Sequence, residues 1–459
     1  MGVLAIELND AGFITATEDT WRDEGPGYAL LDPDRLLLGN EARSQARLRP
    51  RRLNTRFWSD LSTEAMPRPE PYARSHADLA CAQLGQIWER RPDDASEALF
   101  VVPGFMARNS LGLVLGIAAE LGIPVAGMVD AAVAASTLRA PGRVLAHLDV
   151  HLHAAILTRL EQGAQLERSE VELFPAAGQQ VLEDAWARAV AGAFVAQTRF
   201  DPLHAAGTDQ ALHDELRRWL TRLGEAEEVA ARLTVRDRPL EARLGRDIVL
   251  APAAEAYQAV AAGLDSWRRP GTPVLVQLSD RAARLPGLLR FLDALPGVET
   301  RRLEAAAPGA GALARRQEIP AEDGQVRFVT RLSALDSLEP PVACAGGSEA
   351  GPAETGPAPS HLLLEGEAVA IGAGGLAVGL APPPERPGLV LPGPTSGVSR
   401  LHFSLVRQDG RVFLEDHSRY GTFVNESRVR NRLALQPGDR IRVGAPGVTL
   451  RAIRVRDAT

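Results

Sequence analysis

Residues 339–360 read EPPVACAGGSEAGPAETGPAPS, and no other stretch constrains the fold of this chain as strongly. Proline, glycine, alanine and acidic residues dominate it, and almost nothing in it can pack. A segment of this composition cannot bury enough apolar surface to offset the entropy lost on ordering, so it is expected to be a tether. The chain must then fold as separate bodies on either side. Upstream, strand-like and helix-like segments alternate; downstream, short strands are punctuated by turn residues. The expected organisation is an α/β domain over residues 1–338, a linker over 339–360 and an all-β domain over 361–459. No internal repeat is apparent in the sequence.

With 459 residues, 45% of them hydrophobic, each body can bury a core. The formal charge of -7 argues against a general nucleic-acid binder, which presents a basic face. Cys81 and Cys344 are far apart and offer neither a disulfide framework nor a zinc cluster, which fits a reducing cytosol. The opening MGVLAIELND has no basic region and no cleavage site. No apolar run reaches the roughly 18 to 20 residues of a membrane-spanning helix. Residues 111–133 come nearest and are broken by Glu120, Pro124 and Asp130. The expectation is a cytoplasmic protein without membrane insertion and without a nucleic-acid partner.

The C-terminal part alternates apolar and polar residues in LLLEGEAVAI, LHFSLVRQDGRVFLED and DRIRVGAPGVTLRAIRV. Asp409-Gly410 is a hairpin turn signal between two of these strands. The pattern predicts an antiparallel sandwich. Three blocks then appear in order: Val398-Ser399-Arg400-Leu401-His402, His417-Ser418-Arg419-Tyr420-Gly421-Thr422-Phe423-Val424-Asn425, and Pro437-Gly438-Asp439-Arg440-Ile441. Together they closely resemble the forkhead-associated (FHA) family, with its Ser-Arg-x-His strand, Ser-x-Asn-Gly-Thr loop and Gly-Asp-x-Ile turn.

That resemblance implies recognition of phosphothreonine peptides by loops at one end of the sandwich. A hydroxyl and guanidinium groups hold the phosphate by charge-assisted bonds, and an amide holds the peptide backbone. Ser399 matches the family's phosphate-binding serine. Arg419 precedes the position of the family's asparagine, which here is Tyr420. The family's Gly-Arg reads Gly379-Leu380, followed by the proline-rich insertion APPPERP, so one arginine and one amide are replaced. Arg386, Arg400 and Arg419 are the nearby cations available to compensate. The expected site is Ser399, Arg400, Arg419 and Tyr420, with phosphate-independent protein contact as the rival reading.

In the N-terminal part, VLAIEL, EALFVVPGF, RVLAHLDVHLHAAILTRL and PVLVQL read as buried strands. Leu212, Leu216, Leu220 and Leu223 mark the apolar stripe of a helix. Strands mixed with amphipathic helices indicate α/β layers. The order of segments resembles the actin/heat-shock-chaperone/sugar-kinase superfamily. Val101-Val102-Pro103-Gly104-Phe105 resembles the chaperones' Val-Pro-aromatic strand end. Residues 121–135 resemble the first connecting helix, residues 273–292 the adenosine-binding strand and helix, and Gly309-Ala310-Gly311-Ala312 the closing helix start. The implied fold is an actin-like (ribonuclease-H-like) two-lobed α/β domain, with one peripheral subdomain reduced, followed by the all-β FHA sandwich.

The same resemblance directs attention to two β-hairpins that would hold ATP through glycine-flanked backbone amides, with aspartates organising Mg²⁺. The first hairpin carries Glu7-Leu8-Asn9-Asp10-Ala11, which keeps a carboxylate, loses the glycine and both hydroxyls, and adds an anion, Asp10, expected to repel phosphate. The second carries Asp149-Val150-His151-Leu152-His153, with every family glycine replaced. The adenosine strand's Gly-Gly-Ser reads Gln277-Leu278-Ser279. Asp214, Arg217, Arg218 and Thr221 fit the spacing of the adenine-side helix, with Arg218 in the place of the stacking arginine. The remnant nucleotide residues are thus Glu7, Asp149, Arg218 and Ser279. The losses disfavour ATP and Mg²⁺ as cofactors and point to a pseudo-ATPase.

His147, Asp149, His151 and His153 alternate, and on a straight strand they would share a face and suit zinc. A hairpin turn within the run would splay them, so hydrogen-bonded histidines lining the cleft are expected and no metal site is assigned. No Gly-x-Ser-x-Gly elbow, Gly-Lys-Ser/Thr loop or kinase set is present. The functional expectation is a non-catalytic adaptor or scaffold with a protein partner carrying phosphothreonine. The alternatives are a divergent ATP-binding chaperone or nucleotide-gated switch, and an actin-like assembly scaffold.

Overall fold

The computed structural model describes residues 2–268, 271–322, 325–338, 358–364, 367–372, 374–383, 387–391, 398–408, 410–418, 422–424, 427–429, 432–443 and 448–454. The chain divides into two compact units, Met1–Ala343 and Cys344–Thr459. Most of the segment read as a tether, residues 339–357, lies outside the described residues.

The N-terminal unit contains two copies of one sheet plan. In the first lobe β1 (Gly2–Glu7), β2 (Phe13–Ala16) and β3 (Trp21–Gly25) form an antiparallel meander. Next, β4 (Ala95–Val102) pairs parallel to β1, and β5 (Val125–Asp130) parallel to β4, giving the order β3-β2-β1-β4-β5. In the second lobe β6 (Val144–Val150), β7 (Ala155–Gln162) and β8 (Leu166–Phe174) again form a meander. There β9 (Val274–Leu278) and β10 (Val298–Arg302) add in parallel, giving β8-β7-β6-β9-β10. The fold therefore repeats although no repeat is apparent in the sequence. Val3-Leu4-Ala5 and Val144-Leu145-Ala146 open the two first strands, and a carboxylate follows each, Glu7 and Asp149. That trace is too short to stand out from the general run of apolar strands.

Returning chain ties the lobes together. Phe328–Val329 pairs parallel with β5, and Arg331–Leu332 pairs antiparallel with β8. Between β3 and β4 lies a small peripheral insertion with strands Ala29–Asp32, Arg35–Leu38 and Leu53–Asn54 and the short helix α1 (Gly39–Arg43). It is followed by α2 (His76–Glu89), whose N-terminus is fixed by a capping box between Ser75 and Asp78. Helix α3 (Arg108–Glu120) is the crossover between β4 and β5. A fully buried helix, α4 (Ala131–Ala135), follows β5.

The second lobe inserts α5 (Gln179–Thr198) and α6 (Ala206–Glu225) after its meander. The expected stripe holds: Leu212, Leu216, Leu220 and Leu223 are all buried, packing with Trp186, Phe194 and Trp219. Further along the unit are helices α7 (Ala254–Ser266), α8 (Asp280–Ala283) and α9 (Ala307–Ala314). Arg315, just past α9, is buried and donates to the carbonyls of Gly311, Val133, Ala134, Ser136 and Ser333, binding α9 to the end of α4. Gly311 is required there, because an added Cβ would meet the Ala134 carbonyl oxygen at 2.0 Å.

The C-terminal unit is a sandwich of two sheets. Its strands are β11 (His361–Leu364), β12 (Glu367–Ala370), β13 (Leu376–Gly379), β14 (Gly388–Val390), β15 (Phe403–Gln408) and β16 (Arg411–Asp416). They continue with β17 (Thr422–Val424), β18 (Ser427–Arg428), β19 (Arg432–Leu435), β20 (Arg440–Val443) and β21 (Val448–Ile453). One sheet has the order β12-β11-β21-β20-β17-β18 and the other β14-β13-β15-β16-β19. Leu362, Val378, Phe403, Leu414, Ile441 and Leu450 fill the space between them. Strands β15 and β16 pair antiparallel with Gln408 opposite Arg411, the register the Asp-Gly signal predicts; Asp409 itself is outside the described residues.

Candidate functional site

Two places answer to the residues picked out in the sequence: the cleft between the lobes of the N-terminal unit, and the loop end of the C-terminal sandwich.

At the cleft floor the β1–β2 turn and the β6–β7 turn meet. Asn9 donates from Nδ2 to Asp149 Oδ2 at 2.9 Å and to the Val150 carbonyl at 3.2 Å. Its own Oδ1 accepts the Ala11 N–H at 2.9 Å, which shapes the first turn. Asp10 Oδ1 accepts the Leu152 N–H at 2.9 Å and lies 3.1 Å from His151 Nδ1. The anion expected to repel phosphate is instead bonded across the cleft. All of these polar side chains are buried.

Leu152 stands at a position where the resemblance calls for glycine. It is fully buried and packs with Tyr28, Leu30, Leu37, Ala42 and Ala46 of the peripheral insertion. The N-terminus of α5 closes the turn from the other side, with Gln179 N–H donating to the His151 carbonyl and Gln180 N–H to the Leu152 carbonyl, both at 2.9 Å. Gly178 is needed for this approach, since a Cβ there would come within 2.4 Å of the His153 carbonyl carbon. The four alternating residues do not share a face. His147 and Asp149 lie on β6, whereas His151 and His153 lie in the turn, where His153 Nε2 is 2.8 Å from the Thr55 carbonyl.

Arg281 completes the floor, and sequence reasoning overlooked it. From the first turn of α8 its guanidinium donates to Glu7 Oε1 at 2.7 Å, also donates to the Gly12 carbonyl, and lies 3.8 Å from Asp149 Oδ1. It is held between the two carboxylates, Glu7 and Asp149, that the resemblance assigns to metal and phosphate chemistry. Burial alone would raise the Asp149 pKa, but Arg281 and His151 outweigh it and hold the carboxyl below the usual aspartate range. Burial also works against the charge of Arg281, yet Glu7 and Asp149 more than offset it and keep the guanidinium protonated. Asp280-Arg281 directly after a buried strand was the available signal.

Ser279 is buried on the same floor, where its Oγ accepts the Ala282 N–H at 3.1 Å and caps α8. Glu7, Asp149 and Ser279 are therefore brought together. Arg218 is not. It projects from α6 into solvent and pairs with Glu215 one turn away, whereas Asp214 and Arg217 line the cavity beside α5 and α6. The stripe of buried leucines fixes the rotation of α6 and leaves Arg218 on the outer face.

At the loop end of the sandwich, Ser399 and Arg400 lie in the segment leading into β15. His402 is fully buried, and its Nδ1 accepts the Ser399 N–H at 3.1 Å, which sets the position of the serine. Ser399 is half-buried and Arg400 exposed. Gly379 lets the end of β13 pass under this segment, because a Cβ would meet the Arg400 carbonyl oxygen at 2.2 Å. Asp416 anchors both ends of the following loop, accepting the Ser418 N–H at 3.0 Å and the Thr422 hydroxyl at 2.8 Å. Burial would raise the Asp416 carboxyl, but these bonds from Ser418 and Thr422 hold it below the usual range. Arg419, Tyr420 and Arg386 lie outside the described residues.

A family model for the FHA domain matches residues 384–444, the stretch that carries these loops. No curated protein matches the chain. The C-terminal unit thus contains an FHA domain, a phosphopeptide-binding protein-interaction module. The N-terminal unit is mixed α/β.

Proposed function

We propose that this protein is a non-catalytic cytoplasmic adaptor. Its FHA domain is the recognition arm for a phosphothreonine-bearing protein, and its N-terminal unit is an actin-like pseudo-ATPase platform. The repeated sheet order, with two meanders each extended by two parallel strands, supports the actin-like reading. One observation carries the pseudo-ATPase reading: the turns that would embrace a triphosphate are hydrogen-bonded to each other. The Leu152 N–H, which would face a phosphate, is held by Asp10. The place of a metal between Glu7 and Asp149 is taken by Arg281. On this reading a nucleotide does not fit these residues.

On this reading binding energy comes from the FHA loops. Ser399 supplies a hydroxyl for the phosphate, and removal of one charge-assisted bond costs ~1.5–3 kcal/mol, or about one to two decades of affinity. The test is binding of the full chain to a phosphothreonine peptide library beside its unphosphorylated counterpart. Phosphorylated members should be selected, and Ser399→Ala should weaken them at least tenfold. Equal capture of both libraries would make the contact phosphate-independent and overturn the recognition role.

A further inference from the structure

Above the sealed floor, a cavity of about 530 Å³ lies between the peripheral insertion of the first lobe and helices α5 and α6 of the second. This is the size of a small-molecule site. None of Glu7, Asn9, Asp10, Asp149, Ser279 and Arg281 lines it, so its chemistry is separate from that of the floor. Three guanidiniums line it: Arg43 from α1, Arg47 just beyond, and Arg217 from α6. The carboxylates among the lining are two, Glu183 and Asp214.

One oxygen of each lining carboxylate is already engaged. Glu183 Oε1 takes the Gln179 amide at 2.9 Å and Arg217 at 3.1 Å, and Arg43 reaches the same oxygen only at 3.7 Å, beyond hydrogen-bond distance. Asp214 Oδ1 is used by the Gln210 amide at 2.8 Å. Arg47 turns to Asp184, and its backbone N–H donates to Gln210 Oε1 at 2.8 Å. The buried Nε2 of His213, another lining residue, has no hydrogen-bond partner among the described residues and lies 3.6 Å from Asp184. Each guanidinium offers five donors in a planar fork matched to two-oxygen acceptors. Among the described residues Arg43 therefore makes no side-chain hydrogen bond, and Arg217 spends one donor on Glu183. Both lobes contribute, so an anion that satisfied Arg43 and Arg217 together would bridge them.

We propose that this cavity is a binding site for a small metabolite bearing an oxyanion, phosphate or carboxylate, held chiefly by Arg43 and Arg217. The site goes beyond the adaptor reading and stands whether or not the FHA domain needs phosphate. The test is calorimetric titration of the full chain with sodium pyrophosphate and, separately, with citrate, at constant ionic strength. A Ser399→Ala background removes the serine contact of the FHA domain. One binding event per chain is expected, weakened at least tenfold by Arg43→Ala or by Arg217→Ala. Both side chains are partly exposed, so neither change threatens folding. Arg222→Ala, on the exposed face of α6, should leave binding unchanged. A response to pyrophosphate alone identifies a phosphate-bearing ligand, to citrate alone a carboxylate-bearing one, and to both the shared chemistry. Absence of binding by either anion, or binding indifferent to Arg43 and Arg217, overturns the proposal.

Discussion

In the N-terminal unit, the turns after β1 and β6 point their polar groups at each other: Asn9 at Asp149, Asp10 at Leu152 and His151, Arg281 at Glu7. In the FHA domain, buried His402 and half-buried Asp416 point instead into the loops, at the Ser399 and Ser418 N–H groups and at the Thr422 hydroxyl. The first arrangement joins polar groups of two turns to each other. The second uses His402 and Asp416 as supports and leaves Arg400 exposed at the surface. Polar residues in turns thus do different work in the two units, linking one turn to another in the first and holding a loop in place in the second.

The comparison breaks most sharply at Arg281. Arg281→Met leaves Glu7 and Asp149 buried without their cation, and loss of one partner from a buried ion pair costs about 3–5 kcal/mol. Scanning calorimetry of the full chain should show the transition of the N-terminal unit moving down and that of the FHA domain staying in place. Adding Glu7→Gln should recover part of the loss, because one uncompensated charge is removed. A melting profile identical to that of the parent would mean Arg281 does not hold the floor.

Leu152→Ala tests the apolar half of the same closure. It opens a cavity beside Tyr28, Leu30 and Leu37 and should cost about 3 kcal/mol, again confined to the N-terminal transition. In the other region, Asp416→Asn weakens the bonds to Ser418 and Thr422. About 1.5 kcal/mol should be lost from the FHA transition alone, together with phosphopeptide affinity, since the loop ends are no longer fixed. A variant that kept full affinity would separate the loop from recognition.

The smallest effect is a pH dependence. Burial lowers the pKa of His147 below its ordinary 6.5, so the folded unit keeps the ring neutral while the unfolded chain protonates it. More protons are then bound by the unfolded state below pH 6.5. The stability His147 contributes is present above that pH and is lost as pH falls, by at most about 1.4 kcal/mol per pH unit. Denaturant unfolding between pH 7 and 5.5 measures the slope, and His147→Gln should flatten it.

Much of this was legible in the sequence, and the limits have physical causes. The sandwich and its loops could be read because alternation, turn residues and three spaced motifs agree. The α6 stripe was legible from its period, but the rotation that sends Arg218 outward depends on what the stripe packs against. Replacement of the cleft glycines was visible residue by residue. That Leu152 would fill an apolar cluster, that Asp10 would bond rather than repel, and that Arg281 would reach Glu7 from 274 positions away are properties of tertiary contact. The duplicated sheet order was hidden for a related reason, since a strand requires only buried alternation and the two lobes satisfy it with different residues.

The central claim, a cleft floor closed by its own side chains, is tested most directly by amide hydrogen exchange in the full chain, followed at Leu152 with and without millimolar Mg²⁺ and ATP. With its N–H held by Asp10 in a buried turn, Leu152 should be strongly protected without nucleotide and unchanged by its addition. Rapid exchange that slows when Mg²⁺ and ATP are added would show a floor that opens to nucleotide and would contradict the account.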